Sequence, residues 1–294
     1  MSPKDLLLAL VVIVAWGLNF VVIRVGLDGL PPMLLGALRF VLAALPVFLV
    51  RRPNLPWRWL IAYGATISLG QFVFLFEAMA NGMPAGLASL VLQSQAFFTL
   101  AFAALFLGER MRGASVLGLL IAGGGLLLIG LQTGHSTSLL GIVLTLVAAS
   151  MWAMGNVLTR KFGKINLMGL VIWGSLIPPV PFFLLSLWLE GPQRIEHALL
   201  NIGTSSILAL LYLALVATLL GYGLWSRLLS RYPAGQVAPF SLLVPVVGLS
   251  SSAWLLGERL STLQWVGAAL VMLGLLVNVF GGRLWQRLQG AQAA

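Results

Sequence analysis

Two charged side chains fall inside long apolar stretches of this chain, Arg39 and Glu77. A guanidinium held away from bulk water recruits a carboxylate, and a carboxylate held there takes an ammonium or a proton. Either residue is thus a substrate contact, with Glu77 also placed for proton coupling, unless the two form a structural ion pair or Glu77 snorkels to the interface. Amides fall at similar depth: Asn19, Gln71, Gln93, Gln95 and Asn156. Amides hold the two ends of a zwitterion without burying a net charge, and they also glue helices together by hydrogen bonds. Gln93 and Gln95 are two residues apart, so on a regular helix at most one of them lines a cavity. Trp16, Phe72, Phe76, Trp152, Tyr222 and Trp225 supply either an aromatic wall for an apolar group or ordinary packing. Pro239 and Pro245 each remove a backbone donor and mark a kink, either static or a gate.

No constellation supports enzyme chemistry. His135 and His197 lack metal-ligand spacing, the seven acids are scattered, no phosphate-binding loop is present and there is no cysteine. Neither a cofactor nor a metal is expected. The net charge of +10 is explained by loop cations at a membrane surface, not by nucleic-acid binding.

The elements that must carry these residues are transmembrane helices. The 294 residues are 60% hydrophobic and 8% charged, with mean hydropathy +1.03. A soluble domain carries about 25% charged residues. Ten spans follow, roughly 5–26, 33–50, 58–80, 84–107, 114–131, 139–160, 166–189, 204–228, 234–256 and 262–281. The first is read as a retained span, not a removed signal peptide. Thirteen of the 17 Lys and Arg residues, among them Arg51, Arg110, Arg160 and Arg231, fall on the side that carries the N terminus. The positive-inside rule makes that side cytoplasmic and places both termini there, as in a multi-pass protein of the cell (inner) membrane. Trp57, Trp59, Trp188, Trp254, Trp265 and Trp285 fall near span ends, as headgroup-level aromatics do.

The chain also repeats itself. Pro84-Ala85-Gly86 recurs as Pro233-Ala234-Gly235, and Gly108-Glu109-Arg110 as Gly257-Glu258-Arg259, both 149 residues later. Gly118 and Gly125 map onto Gly267 and Gly274 at the same offset, and these glycines suit close helix contact in a scaffold pair or a dimer face. Trp16 and Arg24 match Trp152 and Arg160 at an offset of 136, and Pro46 and Pro181 are matched near span ends. Each half holds five spans, an odd number, so the second half is inverted relative to the first. The expected architecture is an all-α membrane protein of ten helices: a first repeat over 1–133, an inverted second repeat over 138–282 and a short tail over 283–294. Inverted halves around a central cavity are the physical basis of alternating access. The Glu-Arg turns are expected to satisfy helix ends and not to bind substrate.

These motifs resemble the drug/metabolite transporter superfamily, with the EamA-type ten-helix exporters as the best fit. The likeness spans the chain and includes Trp16-Gly17-Leu18-Asn19-Phe20 and Leu38-Arg39-Phe40. It implies secondary transport of small metabolites, with an amino-acid branch (aromatic amino acids included) nearest in pattern. It also implies a cavity lined mainly by spans 1, 3, 4, 6, 8 and 9. The second half departs from the first: Ala153 stands where the first half has Gly17, and Leu242 and Val244 where it has Gln93 and Gln95. Polar contacts should therefore come mainly from the first half. Other cargo within the superfamily includes drugs, nucleotide sugars and lipid-linked metabolites. Phosphate-bearing cargo should need several basic residues inside the bundle, and only Arg39 is there. A membrane-embedded enzyme or a scaffold is the reading from another class. The expected partners are a small-molecule substrate and the lipid bilayer, with the chain a monomer or a weak homodimer.

Overall fold

The protein is described from a computed structural model, which covers residues 1–109, 113–131, 138–163 and 165–292. Arg110, Arg112, His135 and Lys164 lie outside the described residues, as do the side chains of Arg283, Trp285 and Arg287. Most of the described residues are helical, with no strand among them. Among the described residues nine helices are long and apolar enough to span a bilayer: Pro3–Gly29, Trp57–Ala80, Ala85–Leu107, Gly113–Gly130, Leu139–Phe162, Leu167–Leu189, Thr204–Arg231, Ala238–Leu255 and Thr262–Gly281. A shorter apolar helix, Pro32–Phe48, takes second place in the chain and completes the ten. Below, these are the first to tenth spans, and the two ends of the bundle are the N face, which holds the N terminus, and the far face.

Several spans start where the sequence supplies a side-chain cap. Ser2, Ser138 and Asn166 accept from amides of the first turns of the first, sixth and seventh spans, satisfying donors that no helical carbonyl reaches. One element was not expected. Pro192–Leu200, between the seventh and eighth spans, is a short helix that buries Ile195 and Ala198 and exposes Arg194 and Glu196, as suits a helix lying at an interface.

Among the described residues the second span ends in a 3₁₀ turn over Leu45–Phe48 and the seventh breaks between Gly174 and Pro179, and four further spans change helix type along their length. The third winds as a π-helix over Gly64–Gly70 and the eighth over Tyr212–Leu220. The fourth tightens to a 3₁₀ turn over Leu92–Ser94 and the ninth over Ala238–Leu243. Shifted by 149 residues, the irregular segments of the third and fourth spans fall inside those of the eighth and ninth. Pro239 and Pro245 sit in the first turns of the 3₁₀ segment and of the helix that follows it, where a missing N–H costs no helical bond. The freed groups in the π turns are taken up locally: Thr66 Oγ1 donates to the carbonyls of Ala62 and Tyr63, and Thr218 Oγ1 to that of Leu213.

The fifth and tenth spans form a tight pair to one side. A Cβ on Gly118 would stand 2.5 Å from the Gly274 carbonyl oxygen, and one on Gly125 2.5 Å from that of Gly267. Only glycine allows the two backbones this close. Large apolar side chains such as Phe48, Trp188 and Trp254 point outward and are exposed, as lipid contact requires.

Candidate functional site

The eight remaining spans enclose a cavity of about 280 Å³, the scale of a site for one small molecule. It runs from mid-bundle to the N face: Thr159 and Leu229 on its wall stand within three residues of the ends of their spans, at Phe162 and Arg231. Toward the far face the bundle is closed by Leu30, Met33, Leu34, Leu87 and Leu90, none more than 2% exposed.

Arg39 projects from the second span into this cavity and is 2% exposed. Its Nη2 donates to Thr218 Oγ1 at 3.1 Å, in the π segment of the eighth span. The guanidinium lies 4.0 Å from the centre of the Phe72 ring, a cation–π contact. Its Nε and Nη1 have no hydrogen-bond partner among the described residues. No acidic side chain lines the cavity among the described residues. A buried charge in this state has donors to spare for a carboxylate.

Complementary acceptors share the cavity. Asn19 Oδ1 and Gln71 Oε1 are buried and without a partner among the described residues. Unlike them, Asn156 is engaged: its Nδ2 donates to Gln95 Oε1 at 2.8 Å and to Thr99 Oγ1 at 3.2 Å, tying the sixth span to the fourth. Gln93 Nε2 donates to the Ser241 carbonyl at 3.3 Å, tying the fourth to the ninth. Both Gln93 and Gln95 line the cavity, contrary to the expectation that at most one would. The 3₁₀ turn at Leu92–Ser94 explains this: three residues per turn bring side chains two apart closer in direction than a regular helix does.

An aromatic cluster forms another wall. The Trp16 ring centre lies 5.3 Å from those of both Tyr222 and Trp225. Its indole N–H donates to the Ala217 carbonyl at 3.0 Å, within the π segment. Trp152 lines the cavity as well. Phe76 does not: it is fully buried in the closed far half, near Phe72 and Phe182.

Glu77 stands apart from these groups. It is not on the cavity wall, it makes no ion pair with Arg39, and its Oε2 accepts from Asn81 Nδ2 at 3.1 Å at the end of its own helix. Pro239 and Pro245 flank cavity residues Ser241 and Val244 without lining the cavity themselves. The sequence reading missed Tyr63, Thr159, Thr218 and Ser226, all bordering the site. Thr218 and Ser226 are polar positions within an apolar span, a signal of the same kind that singled out Asn19.

A ten-span bundle with matched helix breaks around an amphipathic cavity defines a membrane transporter. The chain matches the EamA-like transporter family twice, over residues 4–131 and 139–280, and it belongs to that family. It is 52% identical over 294 residues to a probable amino-acid metabolite efflux pump of Escherichia coli (strain K12), covering 98% of both chains. It is 53% identical over 291 residues to a protein of the same description from Salmonella typhimurium, covering 97% of both. An uncharacterized inner membrane transporter of Escherichia coli (strain K12) is 26% identical over 285 residues, spanning 92% of this chain and 89% of that one. A solved structure titled only as a protein crystal structure shares the fold with a TM-score of 0.64 at 20% identity, over 94% of this chain and 96% of that one.

Proposed function

We propose that the protein exports amino acids and related small metabolites across the inner membrane by alternating access. Both termini are cytoplasmic, so the cavity faces inward and is poised to load from the cytoplasm. The observation that carries this reading is the pairing, in one cavity, of unpartnered Arg39 donors with unpartnered Asn19 and Gln71 acceptors. A zwitterion satisfies both: its carboxylate takes a free N–H of Arg39, at Nε or at Nη1, its ammonium takes the two amide oxygens, and an apolar side chain lies against Trp16, Trp152 and Trp225. The names of the two relatives above agree with this class of cargo. A lone guanidinium is too little to offset a diphosphate, which argues against nucleotide-sugar cargo.

The test is counterflow in vesicles holding the purified protein. The vesicles are preloaded with threonine, methionine, phenylalanine, lysine or glutamate, and entry of the labelled compound is followed. Protein-dependent exchange of neutral amino acids is expected, with lysine and glutamate slowest, since the cavity has no acidic group among the described residues and one cation. Exchange of none of them by folded protein would sink the amino-acid reading.

A further inference from the structure

The cavity leaves the repeated Pro-Ala-Gly and Gly-Glu-Arg motifs without a role. In the folded chain they are two parts of one contact. Glu258, from the second Gly-Glu-Arg turn, accepts from the amide of Ala85 at 2.7 Å and from that of Gly86 at 3.0 Å. Both amides belong to the first Pro-Ala-Gly segment. A carboxylate of one half thus caps the start of a span in the other, where orphan N–H groups favour an anion. Gly86 is needed there, because a Cβ would lie 2.3 Å from Ser252 Oγ and 3.3 Å from Glu258 Oε2. This contact sits at the far face, the one that is shut.

The other turn matches it at the Gly-Glu step. Gly108 and Gly257 have φ of +69° and +67°. The amides of Glu109 and Glu258 donate at 3.3 Å to the carbonyls of Ala103 and Ser252, which are themselves 149 residues apart. Only the carboxylates differ in what they hold. Glu109 Oε2 accepts from Arg160 Nη1 at 3.0 Å in an exposed ion pair at the N face, where the cavity opens.

We infer that the two motif pairs are reciprocal latches. Glu258 on Ala85 and Gly86 holds the far face shut in the state described. When that face opens, Glu109 leaves Arg160, takes the amides of Ala234 and Gly235, and shuts the N face. Arg160 parks Glu109 while the N face is open. An exposed ion pair is weak and screened, so release is easy, whereas a carboxylate on two helix-start amides makes stronger, charge-assisted bonds. This rests on the alternating-access reading but not on the substrate.

The test uses the full chain in lipid nanodiscs without substrate. The absence of cysteine lets spin labels report from introduced pairs: N54C with S230C across the N face, and N81C with N201C across the far face, all exposed positions. Glu109→Gln and Arg160→Gln break the same ion pair, yet the latch predicts opposite results. Glu109→Gln should deplete the state with a short N-face distance, and Arg160→Gln should enrich it by up to about five-fold, the worth of an exposed ion pair. Glu258→Gln should enrich that state as well. Should Glu258→Gln fail to fold, the two substitutions at exposed positions carry the test alone. Shifts of Glu109→Gln and Arg160→Gln in the same direction, or no shift in either, would overturn the proposal. Because no substrate is present, a wrong cargo assignment cannot produce either failure.

Discussion

The third and fourth spans break their helices where the eighth and ninth do, yet the two pairs carry different side chains. The π and 3₁₀ segments coincide under the 149-residue shift. Gln71, Gln93 and Gln95 of the first half, however, correspond to Leu220, Leu242 and Val244 of the second. A helix break sets where a span bends, and both halves must bend alike if each face is to open in turn. A ligand contact has no such constraint, since one substrate occupies one site. The backbone keeps the symmetry that motion requires, while most of the polar chemistry has gathered in the first half and meets the second through Asn156, Thr218 and the Ala217 and Ser241 carbonyls.

The largest effect is expected where that chemistry is most concentrated. Arg39→Ala should cut exchange of amino acids at least about 100-fold, the loss of a buried charge-assisted contact worth roughly 3 kcal/mol. Arg39→Lys should recover part of it, because a point charge lacks the fixed, planar set of donors of a guanidinium. Counterflow with the neutral amino acids measures both. Undiminished flux in Arg39→Ala would show that recognition is not centred on the first half.

Away from both the breaks and the cavity, the fifth and tenth spans should act as fixed scaffold. Gly125→Val puts a branched side chain against the Gly267 carbonyl and should cost about 2–3 kcal/mol by overpacking. A lowered unfolding midpoint in detergent reads the effect, and protein that remains folded should bind substrate with unchanged affinity. A changed affinity would mean that this pair is coupled to the cavity.

A smaller substitution sharpens the comparison between halves. Gln93→Leu gives the fourth span the residue that the ninth carries at Leu242 and removes the bond to the Ser241 carbonyl. Apparent affinity should fall about five-fold, near 1 kcal/mol, with maximal exchange retained. Loss of maximal exchange instead would show that this bond belongs to the motion.

Much of this was legible in the residues, for physical reasons. Bilayer length makes spans visible, and the matched triplets expose the repeat. Polar groups stand out in apolar stretches, which is how Asn19, Arg39 and Gln71 drew notice before their cavity was known. The π segments were not legible: an extra residue per turn at Gly64–Gly70 answers packing across the bundle and leaves no composition signal. Nor was the partner of Glu258. A helix end needing a carboxylate was foreseeable, but that the end lies 172 residues away follows only from folding. One of Gln93 and Gln95 was expected to face away from the cavity because a regular helix was assumed at a place where the chain tightens.

The smallest expected effect concerns Glu77, and it bears on how transport is driven. A proton-coupling carboxylate must meet the pathway in at least one state and must compete there with substrate or its counter-charge. In the cavity open to the N face the counter-charge is Arg39, yet Glu77 is not on the wall and its carboxylate accepts from Asn81 at its own helix end. Its nearest role is to finish the third span, which an amide performs nearly as well. Glu77→Gln should therefore leave counterflow within about two-fold of the parent, since exchanging one partner of a partly exposed hydrogen bond costs well under 1 kcal/mol. A flux that instead collapses only when a pH gradient is imposed would bring Glu77 into the pathway in the state open at the far face. The first half would then supply the energy coupling as well as the recognition.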